Sequence, residues 1–227
     1  MADAGPAEAI LATLHSGSTV AEVGGACLRA IPRIDGCAVA ILAGVDARRS
    51  VYTSDAICAG IEDAQFEHGE GPCFQAFRTG VAVFVSDLRD PAHVASWPGY
   101  VPAALKAGAV AVAALPIISG DRCFAVLDLY RGTAGAFDDL EVDAAGRFAA
   151  AAGRALLRTV VATGPDRGYP PERRDRIHQA VGMVMSQVGG TSQDAMARLR
   201  AHAFATDRHL HDTADDVLGH RLSFTRD

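Results

Sequence analysis

The side chains able to do chemistry fall in two stretches of the chain. In the first, Cys73 closes the run His68-Gly69-Glu70-Gly71-Pro72-Cys73. A helix N-terminus lowers a thiol pKa, so Cys73 could act as a nucleophile. No histidine at a matching spacing points to it as a base, and a structural thiol is the competing reading. The run is no phosphate cradle: it has no lysine, and Glu70 would repel phosphate. Gly71 as a tight turn and Pro72 as the opening of a short helix over 72–78, burying Phe74 and Phe77, explain it structurally; a loop lining a ligand pocket is the alternative. Asp128 interrupts the apolar strand Val126–Tyr130, either to hydrogen-bond a ligand inside the domain or to face solvent. With Phe84, Cys73 and Asp128 make up a candidate ligand pocket.

The second stretch is rich in arginine. Arg173, Arg174 and Arg176 sit in the first turn of a helical pattern, where the helix dipole disfavours cations, and Glu172 and Asp175 offset this only in part. An anionic partner, phosphate above all, is one reason for such a placement. Arg198, Arg200 and Arg208 follow on the next helix and turn. The alternative is an ordinary charged surface, because residues 165–227 hold nine basic and nine acidic side chains. His209 and His211 would diverge on a helix, so no metal site is expected there. Walker, G-x-G-x-x-G, H-E-x-x-H and G-x-S-x-G signatures are absent, and no catalytic constellation emerges.

These residues need two kinds of scaffold. The first part alternates helices with strands. Val20, Val23, Cys27 and Ile31 predict a helix over 18–31. Strands are expected at 36–43 and 48–53, joined by a turn at 44–47, then a helix over 55–66. Val81–Val85 reads as a buried strand. Strands 109–118 and 123–130 are joined through Ser119-Gly120-Asp121, which is hairpin chemistry. A long helix over 137–162 carries one apolar stripe of Phe137, Leu140, Ala144, Phe148, Ala151 and Ala155. The stripe fits a helix lying on its own sheet or, in part, a dimer seam. The fold class is α+β: an antiparallel sheet flanked by helices, followed by a small all-α unit.

That unit begins after Thr163-Gly164-Pro165-Asp166-Arg167-Gly168-Tyr169-Pro170-Pro171, which cannot continue a helix or strand. Ile177, Ala180, Val181, Val184, Met185 and Val188 follow at helical spacing, with Pro171 in the first turn and Gly189-Gly190 as the stop. Thr191-Ser192-Gln193-Asp194 resembles a capping box, opening a helix with Ala195, Met196, Leu199 and Ala203 inward. Residues 206–209 turn the chain. A third helix places Leu210, Ala214, Val217 and Leu218 inward.

The chain has 227 residues and a formal charge of –6, with the whole deficit in residues 1–164. Its hydrophobic fraction of 49% excludes disorder throughout. The longest uncharged runs, 91–105 and 107–120, fall short of the roughly 18 residues a membrane span needs, and both contain proline. No basic cluster opens the chain, so no signal peptide is expected. Five cysteines without a C-x-x-C pair point to a reduced, cytoplasmic protein.

Arg176–Met185, Ser192–Ala203, Thr206-Asp207-Arg208-His209-Leu210 and Asp212-Thr213-Ala214 together resemble the ANTAR domain, a small helical RNA-binding module of bacterial antitermination regulators. Gly69-Glu70-Gly71-Pro72-Cys73, strand 81–85 with Ser86-Asp87-Leu88, Leu115-Pro116 and Ala136-Phe137-Asp138-Asp139 resemble the GAF sensor domain that often precedes it. ANTAR sequences often carry lysine where this chain has Val181, and an aromatic where it has Met196. The resemblance implies a GAF-like sensor and dimerisation domain over 1–162, a linker over 163–170 and an ANTAR-like domain over 171–227. It implies a cytoplasmic, homodimeric, non-enzymatic regulator that binds paired stem-loops in nascent transcripts. Arg173, Arg176, Arg200, Thr206 and Arg208 are the expected RNA-binding residues. The GAF-like half would take a small-molecule ligand, if any, of unknown identity. Two other readings stay open: a GAF-type enzyme such as a free methionine sulfoxide reductase, and a protein-interaction module that never meets RNA.

Overall fold

The computed structural model describes residues 6–42, 48–163 and 174–225. Its elements are α1 (Pro6–Ala12), α2 (Val20–Ala30), β1 (Gly36–Leu42), β2 (Arg48–Thr53), α3 (Ala56–His68), α4 (Pro72–Thr79), β3 (Val83–Val85), α5 (Pro91–Ser96), α6 (Tyr100–Ala107), β4 (Ala111–Ser119), β5 (Arg122–Arg131), α7 (Asp139–Thr163), α8 (Arg174–Val188), α9 (Ser192–Ala205) and α10 (Leu210–Leu218). They form two units, one built on the sheet and the other on α8–α10. The expected turn at 44–47, the linker from 164 onward, Pro171 and Arg173 lie outside the described residues.

The strands make one five-stranded sheet in the order β2-β1-β5-β4-β3. β1–β5, β5–β4 and β4–β3 all pair antiparallel. The period of two along each strand separates two faces. Cys37, Val39, Ala113, Leu115, Ile117, Leu127 and Leu129 join α2 and α7 in one core. Ala38, Val85, Val112 and Tyr130 join α3, α6 and Trp97 in a second. Both faces are covered, which is why Val126–Leu129 reads as apolar with Asp128 as the exception.

Local chemistry sets the helix starts. Thr19 and Glu22 form a reciprocal capping box at α2, with Thr19 N–H donating to Glu22 Oε2 at 2.7 Å. Asp55 caps α3, accepting from Cys58 N–H at 2.8 Å and from the Tyr130 hydroxyl at 3.1 Å. Asp138 and Glu141 exchange backbone N–H bonds at the start of α7, each 2.9 Å.

Three sequence expectations change. The apolar run 81–85 gives only a three-residue strand at the sheet edge, with Val81 64% exposed. The α7 stripe is the second case. Phe137 precedes the helix and Leu140 is 83% exposed, whereas Ala144, Ala145, Phe148, Ala149, Ala151, Ala152, Ala155 and Leu156 are buried. Those alanines let α7 lie close on β4 and α2 of the same chain. Third, Phe77, Met185, Val188 and Leu218 are half-buried rather than fully inward.

In the helical unit, Thr191 and Asp194 complete the expected capping box, with Asp194 N–H donating to Thr191 Oγ1 at 3.2 Å and Thr191 N–H to Asp194 Oδ2 at 2.9 Å. The predicted inward residues of α9, together with Leu210, Ala214 and Val217 of α10, are buried at 0–4% exposure.

Candidate RNA-binding surface and sensor interior

The Gly69–Cys73 run is a structural junction. Gly69 ends α3 at φ 69° and Gly71 turns at φ 122°, a left-handed region that favours glycine. Pro72 then opens α4. Glu70 Oε1 accepts from the N–H groups of Gly99 and Tyr100, at 2.6 and 2.9 Å, and so anchors the start of α6. Cys73 N–H donates to Gln65 Oε1 at 2.8 Å, and its residue is fully buried.

The three candidate pocket residues do not come together. Asp128 is buried at 7% exposure, not on a solvent face. It lines a cleft with Cys58, Glu62, Gln65, Tyr100 and Tyr130. That cleft has a volume of about 10 Å³, roughly the minimum a single water needs. Phe84 is on the opposite face, 5.4 Å from Phe137 between ring centroids. Glu62, which the sequence reading missed, is 1% exposed and accepts from Ser50 Oγ at 3.1 Å and from Gln65 Nε2 at 3.3 Å. Its signal was a carboxylate one helical turn after Cys58 on an apolar face.

The thiols are poorly placed for nucleophilic chemistry. Cys27, Cys37, Cys58 and Cys73 are buried and Cys123 is half-buried. A hydrogen bond with Cys27, then burial, pushes the Cys37 thiol up. Burial, then the Glu62 charge, does the same to Cys58. Both shifts lower the fraction of reactive thiolate. Among the described residues no group of His, Cys, Asp or Glu is poised to hold a metal ion, and no helix is long and apolar enough to cross a membrane.

In the helical unit the arginines are organised by aspartates. Arg176 Nε donates to Asp215 Oδ1 at 2.6 Å, tying α8 to α10. Its placement against the α8 dipole thus has an anionic partner within the same unit. Arg208 Nη1 donates to Asp216 Oδ2 at 2.5 Å, and Arg221 Nε to Asp216 Oδ1 at 2.7 Å. These two arginines hold the Asp216 carboxyl below its ordinary range. Arg198 and Arg200 on α9 are half-buried. Thr206 ends α9, and its hydroxyl donates to His202 O at 2.7 Å. Asp207 follows in the left-handed region at φ 51°, and Arg208 N–H donates back to Ala203 O at 2.9 Å. The turn therefore fixes where Arg208 leaves the backbone. Arg200, Thr206 and Arg208 share the end of α9, whereas Arg176 sits on α8 beside α10.

Val181 and Met196, which depart from the usual residue types, are both buried at 5% and 0% exposure. The sequence reading also missed Phe204, which is 83% exposed on the last turn of α9. Its signal was a phenylalanine off the Ala195-Met196-Leu199-Ala203 stripe.

A family model described as GAF domain matches residues 17–157, most of the sheet-bearing unit. The chain belongs to the GAF domain family. A second model, described as ANTAR domain, matches residues 171–218 and so follows the GAF domain directly. Among solved structures, the chain is similar to the GAF domain of a phosphoenolpyruvate-protein phosphotransferase from Coxiella burnetii, at 17% identity and a TM-score of 0.50, covering 72% of this chain and 99% of that one. The GAF domain of the same type of enzyme from Acinetobacter gives 10% identity and a TM-score of 0.50, covering 70% and 92%. A free methionine-R-sulfoxide reductase from Neisseria meningitidis, in complex with its substrate, gives 17% identity and a TM-score of 0.44, covering 69% and 87%. At these identities the likeness of the first two speaks for the fold of the GAF half. No curated protein matches the chain.

Proposed function

We propose that this GAF–ANTAR protein is an RNA-binding transcription antitermination regulator. The order of the two domains carries the reading: a GAF domain over 17–157 followed by an ANTAR domain over 171–218. The GAF half, taken as 1–162, senses a signal or holds two chains together. The ANTAR half, taken as 171–227 after a linker at 163–170, binds paired stem-loops in a nascent transcript and keeps a terminator hairpin from forming. The protein works in the cytoplasm as a homodimer without catalytic activity. Two small domains with few net charges gain affinity when one scaffold presents both to a paired target.

The arginine–aspartate pairs support a specific mode of engagement. Arg208 shares Asp216 with Arg221, so a phosphate can take over Arg208 while Arg221 still neutralises the carboxylate. Arg176 meets Asp215 in a more open pair, at 57% and 47% side-chain exposure, whereas Asp216 is 19% exposed. Exposed pairs like these hold weakly, and phosphate competes well for a guanidinium. Arg173 belongs to the proposed contacts from the sequence alone.

The test is a gel shift of the full chain with tandem-hairpin RNA against a scrambled strand of equal length. The shift should vanish at high salt, because each phosphate contact releases counterions. Arg200→Ala and Arg208→Ala should each weaken binding roughly 10- to 100-fold, as lost charged hydrogen bonds do. Equal affinity for hairpin and scrambled RNA at physiological salt, in a confirmed dimer, would defeat the reading.

A further inference from the structure

The phenylalanines of this chain divide sharply by exposure. Phe66, Phe74 and Phe148 are buried, five others are half-buried, and Phe204 alone is exposed, at 83%. A phenyl ring left in water forgoes the burial that stabilises its counterparts. It sits on the last turn of α9, off the stripe of Ala195, Met196, Leu199 and Ala203 that packs inward. Its neighbours on the open side of the helix, Ala197, Ala201 and Ala205, are exposed and small. They leave a flat ligand access to the ring.

Two arginines stand near the ring in the chain, with the exposed carboxylate of Asp207 between Phe204 and Arg208. Arg200 lies one helical turn before Phe204. The chain then turns sharply: Asp207 N–H donates to Phe204 O at 3.2 Å and Arg208 N–H to Ala203 O at 2.9 Å. The backbone of Arg208 is thereby held against the turn that carries the ring. An aromatic face between two guanidinium-bearing positions matches the chemistry of an unstacked nucleobase. The base stacks on the ring, and the phosphates on either side meet arginine. We propose that Phe204 is the stacking platform for an unpaired base in the loop of the bound RNA. The inference rests on the RNA-binding reading above and adds a single-stranded base to its phosphate contacts. A purely apolar protein partner would be served as well by leucine and would not call for flanking cations.

The experiment uses the full chain and a pool of tandem-hairpin RNAs with randomised loops, selected on the native protein. Affinities are then read by fluorescence anisotropy across a salt series. Phe204→Ala should weaken binding roughly 5- to 100-fold, the range for loss of one base–aromatic stack. Phe204→Trp should retain affinity and Phe204→Leu should not. The salt slope should be unchanged in Phe204→Ala, since no ion is released at a ring, but shallower by about one in Arg208→Ala. Melting curves of all four variants should overlay the native one, because both side chains are exposed. If Phe204→Ala binds within twofold of native while Arg208→Ala is weakened, the stacking inference fails and RNA binding stands. If Phe204→Leu binds like native, apolar contact replaces stacking and the inference is overturned. If selection yields no RNA above the scrambled strand, both readings fall together.

Discussion

The junction between β5 and α7 offers the sharpest test of how the GAF domain holds its long helix. Arg131 is 1% exposed, and its Nη2 lies 2.7 Å from Glu141 Oε1. Its guanidinium carbon sits 4.0 Å above the Phe137 ring, and Nη1 reaches Gly135 O and Ala136 O only at 3.4 and 3.3 Å. Glu141 also caps α7 by accepting from Asp138 N–H at 2.9 Å. Glu141→Gln keeps an oxygen for that cap and removes only the charge. The guanidinium is then buried with two long carbonyl bonds and a ring. Removing one partner of a buried pair costs about 3–5 kcal/mol. At roughly 2–4 °C per kcal/mol for a domain of this size, the melting midpoint should fall by about 6–20 °C. Glu141→Ala should cost more, since the cap goes too. Arg33 also approaches Glu141, at 3.5 Å, but is 54% exposed, so Arg33→Ala should cost less than about 1 kcal/mol. The double variant Arg131→Met with Glu141→Leu should recover at least half the loss, because an apolar pair leaves no charge buried. Calorimetry of the five proteins decides it. Losses below about 1 kcal/mol in both Glu141 single variants would refute the claim that this pair fixes the start of α7.

Two further expectations follow from burial and charge. Leu157→Glu and Val161→Glu, at native exposures of 41% and 86%, should leave the melting curve in place and shift sedimentation from dimer to monomer, whereas Ala151→Glu, at 6% exposure, should destabilise the fold by at least about 1–3 kcal/mol through overpacking and the burial of a carboxylate; an intact dimer in both of the first two variants would remove α7 as the seam. The Thr191 backbone N–H, then its hydroxyl, hold the Asp194 carboxyl below its ordinary value. A depressed folded-state pKa means the capping contribution is full above the unfolded value of about 4 and is lost as pH falls through the folded-state value. Protection factors at the Ala195 and Met196 amides, which divide out the intrinsic pH dependence of exchange, should be constant from about pH 7 to 5 and fall below about 4, and the acid-induced fall should disappear in Asp194→Asn.

Periodicity made the elements legible because each apolar stripe had one partner surface. Ala195, Met196, Leu199 and Ala203 repeat at helical spacing and are buried, and the capping box of Thr191 and Asp194 marks where that helix begins. Where two explanations shared one pattern, the sequence could not choose. The alanines of α7 suit a dimer seam and a close approach to β4 equally, and only the three-dimensional path shows Ala144, Ala145, Ala149, Ala151, Ala152 and Ala155 covered by the chain's own sheet and α2. Strand 81–85 failed for another reason. An edge strand pairs on one side only, so apolar residues continue past the last ladder bond and Val81 emerges into solvent. The candidate pocket mixed residues from both faces of the sheet. Phe84 lies across the sheet from Asp128, and one strand's alternation cannot be set against another's until the register is known.

The arginines show most clearly what composition hides. Equal numbers of acidic and basic residues after position 164 argue against a polyanion partner if charge is read as a sum. Read in place, the aspartates are spent on particular cations: Asp215 on Arg176, and Asp216 on Arg208 and Arg221 together. A half-buried carboxylate shared by two guanidinium groups is, under the proposal, a placeholder that a phosphate would displace, because one arginine remains to neutralise it. Under the RNA-binding proposal, such a surface would attract indiscriminate polyanions only weakly. Under the RNA-binding proposal, it would become basic only where a phosphate arrives in the geometry that Thr206 and the Asp207 turn impose on Arg208. Neutral net charge is then the expected state of a binder whose selectivity depends on shape as well as on attraction.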